Sequence, residues 1–260
     1  MIPKIMGILN VTPNSFSDGG DYITEKLAID RGLAMIDEGA HIIDIGGEST
    51  RPGSEGVSLE EELNRVIPVI EGIRKVNKEI TISVDTTKYD VAWVALGKGA
   101  NILNDVSGLT AEPRFVDLAK EYKADLVIMH RKGSSKNMQE NPQYGDVIKE
   151  VYDYLLQQSK LAAGIGNVYV DVGIGFGKTL DHNMTLLNNL AKFNSITGKQ
   201  LLGLSRKAFI KMLFGIENAK DRDAHTAMIH QRLLASNVEI IRVHNVKLIS
   251  DMLKVNNLFH

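Results

Sequence analysis

Short apolar, β-branched runs alternate along this chain with longer amphipathic stretches, the rhythm of βα units around a parallel sheet. Eight such runs occur: Ile5 to Thr12, His41 to Gly47, Thr81 to Thr86, Asn101 to Ser107, Asp125 to His130, Val168 to Ile174, Gln200 to Ser205 and Glu239 to His244. Helical stretches lie between them, among them Glu25 to Glu38, Leu59 to Val76, Tyr89 to Leu96 and Val147 to Ala163. A helix after each of eight strands is the count of a (β/α)8 TIM barrel, whereas a doubly wound open sheet needs only about five or six strands. No composition shift or linker divides the 260 residues, so the expected architecture is α/β, a single-domain barrel.

Two connections are longer than that pattern requires, Pro13 to Tyr22 after the first strand and Glu48 to Ser58 after the second. Both are rich in Gly, Ser, Pro and Asn, and both lie at the strand ends where barrels build their sites. They are expected to be substrate loops.

Strands of a parallel sheet are buried on both faces, so polar residues gathered at one end of them point to a site. Here every strand supplies one. Asn10 ends the first; Glu48, Thr50 and Arg51 follow the second; Asp85 lies in the third; Asn104 and Asp105 lie in the fourth. His130 ends the fifth, Asp171 lies in the sixth, Ser205, Arg206 and Lys207 end the seventh, and Arg242 and His244 end the eighth. A lone strand Asp usually caps a helix or pairs with a cation, but eight such positions at one end make a site the better account. Carboxylates and an amide (Asp85, Asn104, Asp171) suit the N–H edge of a flat heterocycle, and cations (Lys207, Arg242) suit phosphate or carboxylate oxygens. The expected ligand is a heterocycle at one end and an anion at the other.

Charge and composition narrow the partners. The 30 Lys and Arg nearly balance the 32 Asp and Glu, with no long block of one sign, so no nucleic-acid partner is expected. The absence of cysteine removes disulfides, thiolate metal sites and a Cys nucleophile, and permits a reducing compartment. The apolar run near the start, Ile5 to Leu9, is far too short for a signal-peptide core or a membrane span. A soluble, cytoplasmic protein with small-molecule substrates is expected. The chain starts almost at its first strand and is compatible with one domain of a longer fused protein.

Other motifs fail on inspection. Gly173-Ile-Gly-Phe-Gly-Lys-Thr179 resembles a P-loop, but Val172 stands where the first glycine should be, and Lys178 occupies the last glycine position of a G-x-G-x-x-G. No H-E-x-x-H occurs, and His225 and His230, five apart, do not share a helix face as zinc ligands would. They are expected to be ordinary helix residues. Trp93 and the Met129 to Met138 region are expected to be packing, with Met129 also suited to line a flat heterocycle.

The residues now in view resemble the dihydropteroate synthase family over nearly the whole chain. Met6-Gly-Ile-Leu-Asn-Val-Thr-Pro13 with Ser15-Phe-Ser-Asp-Gly-Gly20 is similar to its opening signature, and Asp44-Ile-Gly-Gly-Glu-Ser-Thr-Arg-Pro-Gly53 to its second. Ser83-Val-Asp-Thr86, Asn104-Asp-Val-Ser-Gly108, Met129-His130, Gly173-Ile-Gly-Phe-Gly-Lys178, Ser205-Arg-Lys207 and Arg242-Val-His244 follow in the family's order. Asn14, Val172, His225 and Asn245 depart from the residues the family usually carries there.

The resemblance implies condensation of 6-hydroxymethyl-7,8-dihydropterin diphosphate with 4-aminobenzoate to dihydropteroate and diphosphate, in folate biosynthesis and as a sulfonamide target. It implies a pterin pocket of Asp85, Asn104, Met129, Asp171, Phe176 and Lys207. It also implies a diphosphate end of Asn10, Thr50, Arg242 and His244, with Mg2+ at Asn10. Arg51 and Pro52 would complete the aminobenzoate wall, and Phe16 and Asp18 would close over it. Asp85, Lys207, Arg242 and His244 would be catalytic, and a homodimer is expected. Two alternatives are a pterin-binding barrel that moves a methyl group from a folate to a corrinoid, which should lack the two long loops, and a non-catalytic pterin-binding paralogue, against which Asn10, Arg51, Lys207 and Arg242 speak.

Overall fold

In the computed structural model, residues 2–12, 21–49, 53–134 and 136–259 are described, with the backbone alone over 21–24. The strands are β1 (Lys4–Asn10), β2 (Ile42–Gly46), β3 (Thr81–Asp85), β4 (Ile102–Asp105), β5 (Asp125–Met129), β6 (Val168–Asp171), β7 (Leu201–Leu202) and β8 (Ile240–Val243). The helices are α1 (Asp21–Asp37), α2 (Leu59–Val76), α3 (Tyr89–Gly97), α4 (Phe115–Tyr122), α5 (Val147–Leu161), α6 (Leu180–Leu187), α7 (Asn194–Thr197), α8 (Ala208–Phe214), α9 (Asp223–Leu233) and α10 (Val246–Leu258). Every strand pairing is parallel, in the order β6-β5-β4-β3-β2-β1-β8-β7. The two outer strands meet through one bridge, Val170 to Gln200, and the sheet closes into the expected barrel.

Alternation along the strands separates two cores. Met6, Ile42, Ile102, Val127, Tyr169, Leu201 and Ile240 form an apolar plug inside the barrel. Residues of opposite parity, such as Ile43, Ile45, Val84, Leu103 and Ile128, face outward and pack against helix residues including Val69, Ile70, Val91 and Leu155. Each such aliphatic side chain taken out of water contributes about 1.5–3 kcal/mol. Two residues beyond the plug, the inward positions turn polar: Asp44, Asn104, Asp171 and Arg242. The plug closes one end of the barrel and leaves the other to chemistry.

Local sequence sets the helix starts. Ser58 accepts from the Glu61 N–H at the head of α2, whose first turn holds Glu60, Glu61 and Glu62 and whose last holds Arg74 and Lys75, as the helix dipole favours. Asp146 caps α5 on Ile148 and Lys149, and Thr179 with His182 forms a capping box on α6.

Several boundaries differ from the sequence expectation. Strand six stops at Asp171, because Gly173, with φ of 67°, turns the chain over the end of β5. Strand seven is only Leu201–Leu202, since its pairing with β8 ends at Leu202 opposite Ile241. Trp93 is not packing: α3 buries Val91, Ala92, Ala95 and Leu96, and Trp93, off that face, is 49% exposed.

Candidate active site

Strand β8 sends Arg242 across the polar end of the barrel. Its Nε donates to Asp44 Oδ2 at 2.6 Å and its Nη2 to Asp85 Oδ2 at 2.8 Å. Asn104 donates through Nδ2 to the same Asp44 carboxylate, at 3.1 and 3.3 Å. One guanidinium therefore serves two buried carboxylates. Burial pushes the Asp85 carboxyl up to about 7 against the pull of Arg242, with Asp44, Glu62 and Asp105 adding to the rise. Asp44 was not among the residues chosen from the sequence; its place between Ile43 and Ile45, two apolar strand positions facing the helices, was the signal for an inward carboxylate.

On the opposite wall, Asp171 Oδ1 accepts the Gly173 N–H at 2.8 Å. Burial raises its carboxyl, while Lys207 and that N–H pull it down. Lys207 donates to the Ile174 carbonyl at 2.6 Å, and its ammonium lies 4.7 Å from the centre of the Phe176 ring. Burial lowers the Lys207 amine to about 8, opposed by Asp171 and assisted by Arg242. Met129 ends β5 beside Asp171 in register. At the far side, His244 Nδ1 and Ser205 Oγ are 3.0 Å apart, and the His244 N–H donates to the same hydroxyl at 3.2 Å. Asn10 ends β1, half-buried, in register with Gly46.

Asp85, Asn104, Met129, Asp171, Phe176, Lys207, Arg242, His244 and Asn10 thus stand at one end of the barrel. Thr50, Arg51, Pro52, Phe16 and Asp18, and nearly all of the first long loop, lie outside the described residues. Three strand-end residues turn elsewhere. Asp105 faces outward and takes the N–H groups of Ser107 and Leu109 at 2.8 and 2.6 Å, so it shapes a turn. Glu48 pairs with Lys88, which also bonds to buried Glu62 at 2.5 Å. Arg206 is bound to Asp223.

Another buried cation, Lys178, was given no site role from the sequence. Lys178 Nζ lies 3.0 Å from both His130 Nδ1 and the Phe176 carbonyl. Burial lowers its amine to about 7, against Asp171 and with help from Lys207 and Lys132; burial and Lys178 together lower His130 to about 3. The imidazole is therefore neutral beside the lysine. The glycines of the segment permit the contact: a Cβ on Gly173 would sit 1.9 Å from the His130 carbonyl oxygen.

A family model for the pterin binding enzymes matches residues 6–244. The chain belongs to that family. It is 43% identical to the dihydropteroate synthase of Synechocystis sp., over 96% of this chain and 88% of the relative. A structure of Xanthomonas albilineans dihydropteroate synthase with 4-aminobenzoic acid superimposes with a TM-score of 0.91 at 39% identity, covering 99% of this chain and 93% of that one. Another structure of a dihydropteroate synthase from X. albilineans, in complex with 7,8-dihydropteroate, gives 0.88 at 36% identity, with the same coverage. Membership of the pterin-binding enzymes accounts for the run of motifs. Three of the departures have local roles in the structure: Val172 is buried, His225 packs against the Phe214 ring at 4.5 Å, and Asn245 caps α10 by accepting from the Leu248 N–H.

Proposed function

We propose that the chain is a transferase that condenses 6-hydroxymethyl-7,8-dihydropterin diphosphate with 4-aminobenzoate, giving 7,8-dihydropteroate and diphosphate in folate biosynthesis. The observation that carries this reading is the meeting of buried Asp171, Asn104 and Asp85 with Lys207 and Arg242 at one barrel end, in a chain this similar to dihydropteroate synthases.

Each side chain has a task. Asp171, with Oδ1 on Gly173, offers Oδ2 to the N–H edge of the pterin, a charge-assisted bond of about 1.5–3 kcal/mol. Asn104 spends its Nδ2 on Asp44, which leaves its carbonyl oxygen to accept from the same ring. Lys207 donates to the ring oxygen and nitrogen side, and Phe176 lines the adjoining wall. The aromatic amine is a weak nucleophile, so the C–O bond to diphosphate breaks first; the amine nitrogen then forms the C–N bond and passes one proton to water. Asp85 stabilises the positive methylene carbon, while Arg242 and His244 steady the departing oxygens. Thr50, Arg51, Pro52, Phe16 and Asp18 are assigned to the diphosphate and aminobenzoate walls on the motifs that carry them.

Among the described residues no group of three or more His, Asp or Glu is suited to hold a metal. Among the described residues, the amide oxygen of Asn10 is the donor assigned to Mg2+ at the diphosphate end, a neutral ligand that fits a cation which would keep much of its water. Mg2+ there would neutralise charge on the leaving group.

We assign the protein to the cytoplasm as a homodimer. Among the described residues no helix is long and apolar enough to cross a membrane. Met212, Phe214 and Met228, each more than half exposed on α8 and α9, supply apolar surface for a second copy. Light scattering would give a single-chain mass if that part is wrong. The function is tested by diphosphate release that requires both 4-aminobenzoate and Mg2+, with Asn10→Ala raising the Mg2+ requirement. Release indifferent to 4-aminobenzoate would remove the reading, and full activity in excess chelator would remove the metal.

A further inference from the structure

Arg206 stands between two residues of the active end, Ser205 and Lys207, yet its own side chain leaves it. Its φ is 61°, in the left-handed region where a Cβ crowds the following carbonyl. The Lys207 N–H closes a turn on the Leu204 carbonyl at 3.3 Å, which puts Arg206 at the third turn position, where positive φ favours Gly or Asn. An arginine there needs outside support, and it has three kinds. Its guanidinium grips Asp223 through Nε and Nη2 at 2.6 and 2.7 Å. Its N–H donates to Thr226 Oγ1 at 3.2 Å, and its carbonyl accepts from Arg222 Nη1 at 2.8 Å.

Asp223 is shared. It also accepts Asn245 Nδ2 at 3.0 Å, and Asn245 directly follows His244. Burial alone would raise the Asp223 carboxyl, but the bonds from Arg206 and Asn245 hold it below its ordinary range. One carboxylate at the head of α9 thus fixes the residue before Lys207 and the residue after His244.

We infer that the Arg206–Asp223 pair is a positioning clamp: it holds the left-handed turn that aims Lys207 at the Ile174 carbonyl and the Phe176 ring, and so sets the ligand geometry of the site. Among the described residues, their side chains bond to each other and to Asn245 rather than to Lys207. The inference rests on the reaction proposed above only for its kinetic consequence; the aim of Lys207 is a property of the protein alone.

The test compares wild type, Asp223→Ala, and Asp223→Ala combined with either Arg206→Asn or Arg206→Gln. Both second changes remove the orphaned guanidinium, but only Asn readily takes a left-handed φ. A clamp predicts a fall of about tenfold in kcat/KM in Asp223→Ala, substantially restored by Asn and not by Gln. A purely stabilising ion pair predicts lowered melting temperatures with kcat/KM within about twofold of wild type, or equal effects of Asn and Gln; either result overturns the clamp. If Asp223→Ala does not fold, Asp223→Asn takes its place in the series. Acylation of Lys207 by acetic anhydride, read by peptide mass spectrometry, decides the matter without turnover. Lys207 should react slowly in wild type, faster in Asp223→Ala, and slowly again with Asn; an unchanged rate across the series overturns the inference. Wild type lacking aminobenzoate-dependent diphosphate release would remove the proposed reaction and leave the acylation result to judge the clamp.

Discussion

Arg242 on β8 binds Asp44 on β2, Nε to Oδ2 at 2.6 Å, while its Nη2 holds Asp85 on β3 at 2.8 Å. The cation reaches strands two and three places away in the sheet and places two carboxylates within reach of one another. Coulomb repulsion between them is what the guanidinium offsets, and it is most costly where water is excluded.

Asp44→Asn should therefore act at a distance from any ligand. It removes one charge-assisted bond, a loss of about 1.5–3 kcal/mol, without leaving Arg242 unpaired, since Asp85 remains. With one raising neighbour gone, the Asp85 carboxyl should titrate lower than about 7. Urea unfolding should show the stability loss, and kcat/KM for the pterin diphosphate should fall at least about tenfold as the guanidinium turns toward Asp85. Unchanged kinetics would mean that Asp44 does not set the guanidinium's orientation.

Asp171→Asn should abolish useful pterin binding. The carboxylate is buried, receives the Gly173 N–H on one oxygen, and faces Lys207. An amide would present a donor to a ring edge that itself donates, leaving two unsatisfied groups in a buried site. Calorimetric titration with a pterin should show a loss of at least about tenfold, or 1.4 kcal/mol. Binding within about twofold of wild type would take Asp171 out of the pterin pocket.

The barrel was legible because eight apolar runs, alternating with amphipathic stretches, leave a parallel closed sheet as the economical way to bury them. The site was legible where inward parity coincides with a polar residue, as at Asp85, Asn104, Asp171 and Arg242. It was not legible where the decision lies in tertiary contacts. Asp105 and Asn104 are neighbours in one strand, yet only Asn104 faces inward; the motif named both. Arg206 and Lys207 share a tripeptide, and a left-handed turn sends them to different partners. Lys178 looked like part of a failed P-loop, because no local pattern reveals that His130, from another strand, meets it.

Lys178 should make stability depend on alkaline pH. Its amine is lowered from 10.5 to about 7 by burial, so between about 7 and 10.5 the unfolded chain carries a proton that the folded one lacks. A depressed folded value means that stability rises with pH across that window and is lost as pH falls through about 7. Relative to Lys178→Met, wild type should gain up to about 1.4 kcal/mol per pH unit there, measured by urea unfolding at pH values inside the window. Parallel pH curves for the two proteins would mean that Lys178 keeps its charge when buried.

His230 should do the same on the acid side. It lies on α9, buried, with neither ring nitrogen bonded to any partner among the described residues. Burial lowers the imidazole from 6.5 to about 3, so below about 6.5 the unfolded chain takes up a proton that the folded one refuses. Stability from this residue is fully present above 6.5 and is lost as pH falls toward 3. His230→Leu removes both effects at once. At pH 7 it should stabilise, because two buried polar atoms without partners cost about 1–3 kcal/mol each, offset by imperfect filling of the imidazole's space. Its advantage should then widen by up to about 1.4 kcal/mol for each pH unit below 6.5. Urea midpoints for both proteins at pH 7 and pH 5 check the point. An advantage that stays constant would show that His230 is protonated in the folded state, and a loss of stability at both pH values would show that its nitrogens are satisfied after all.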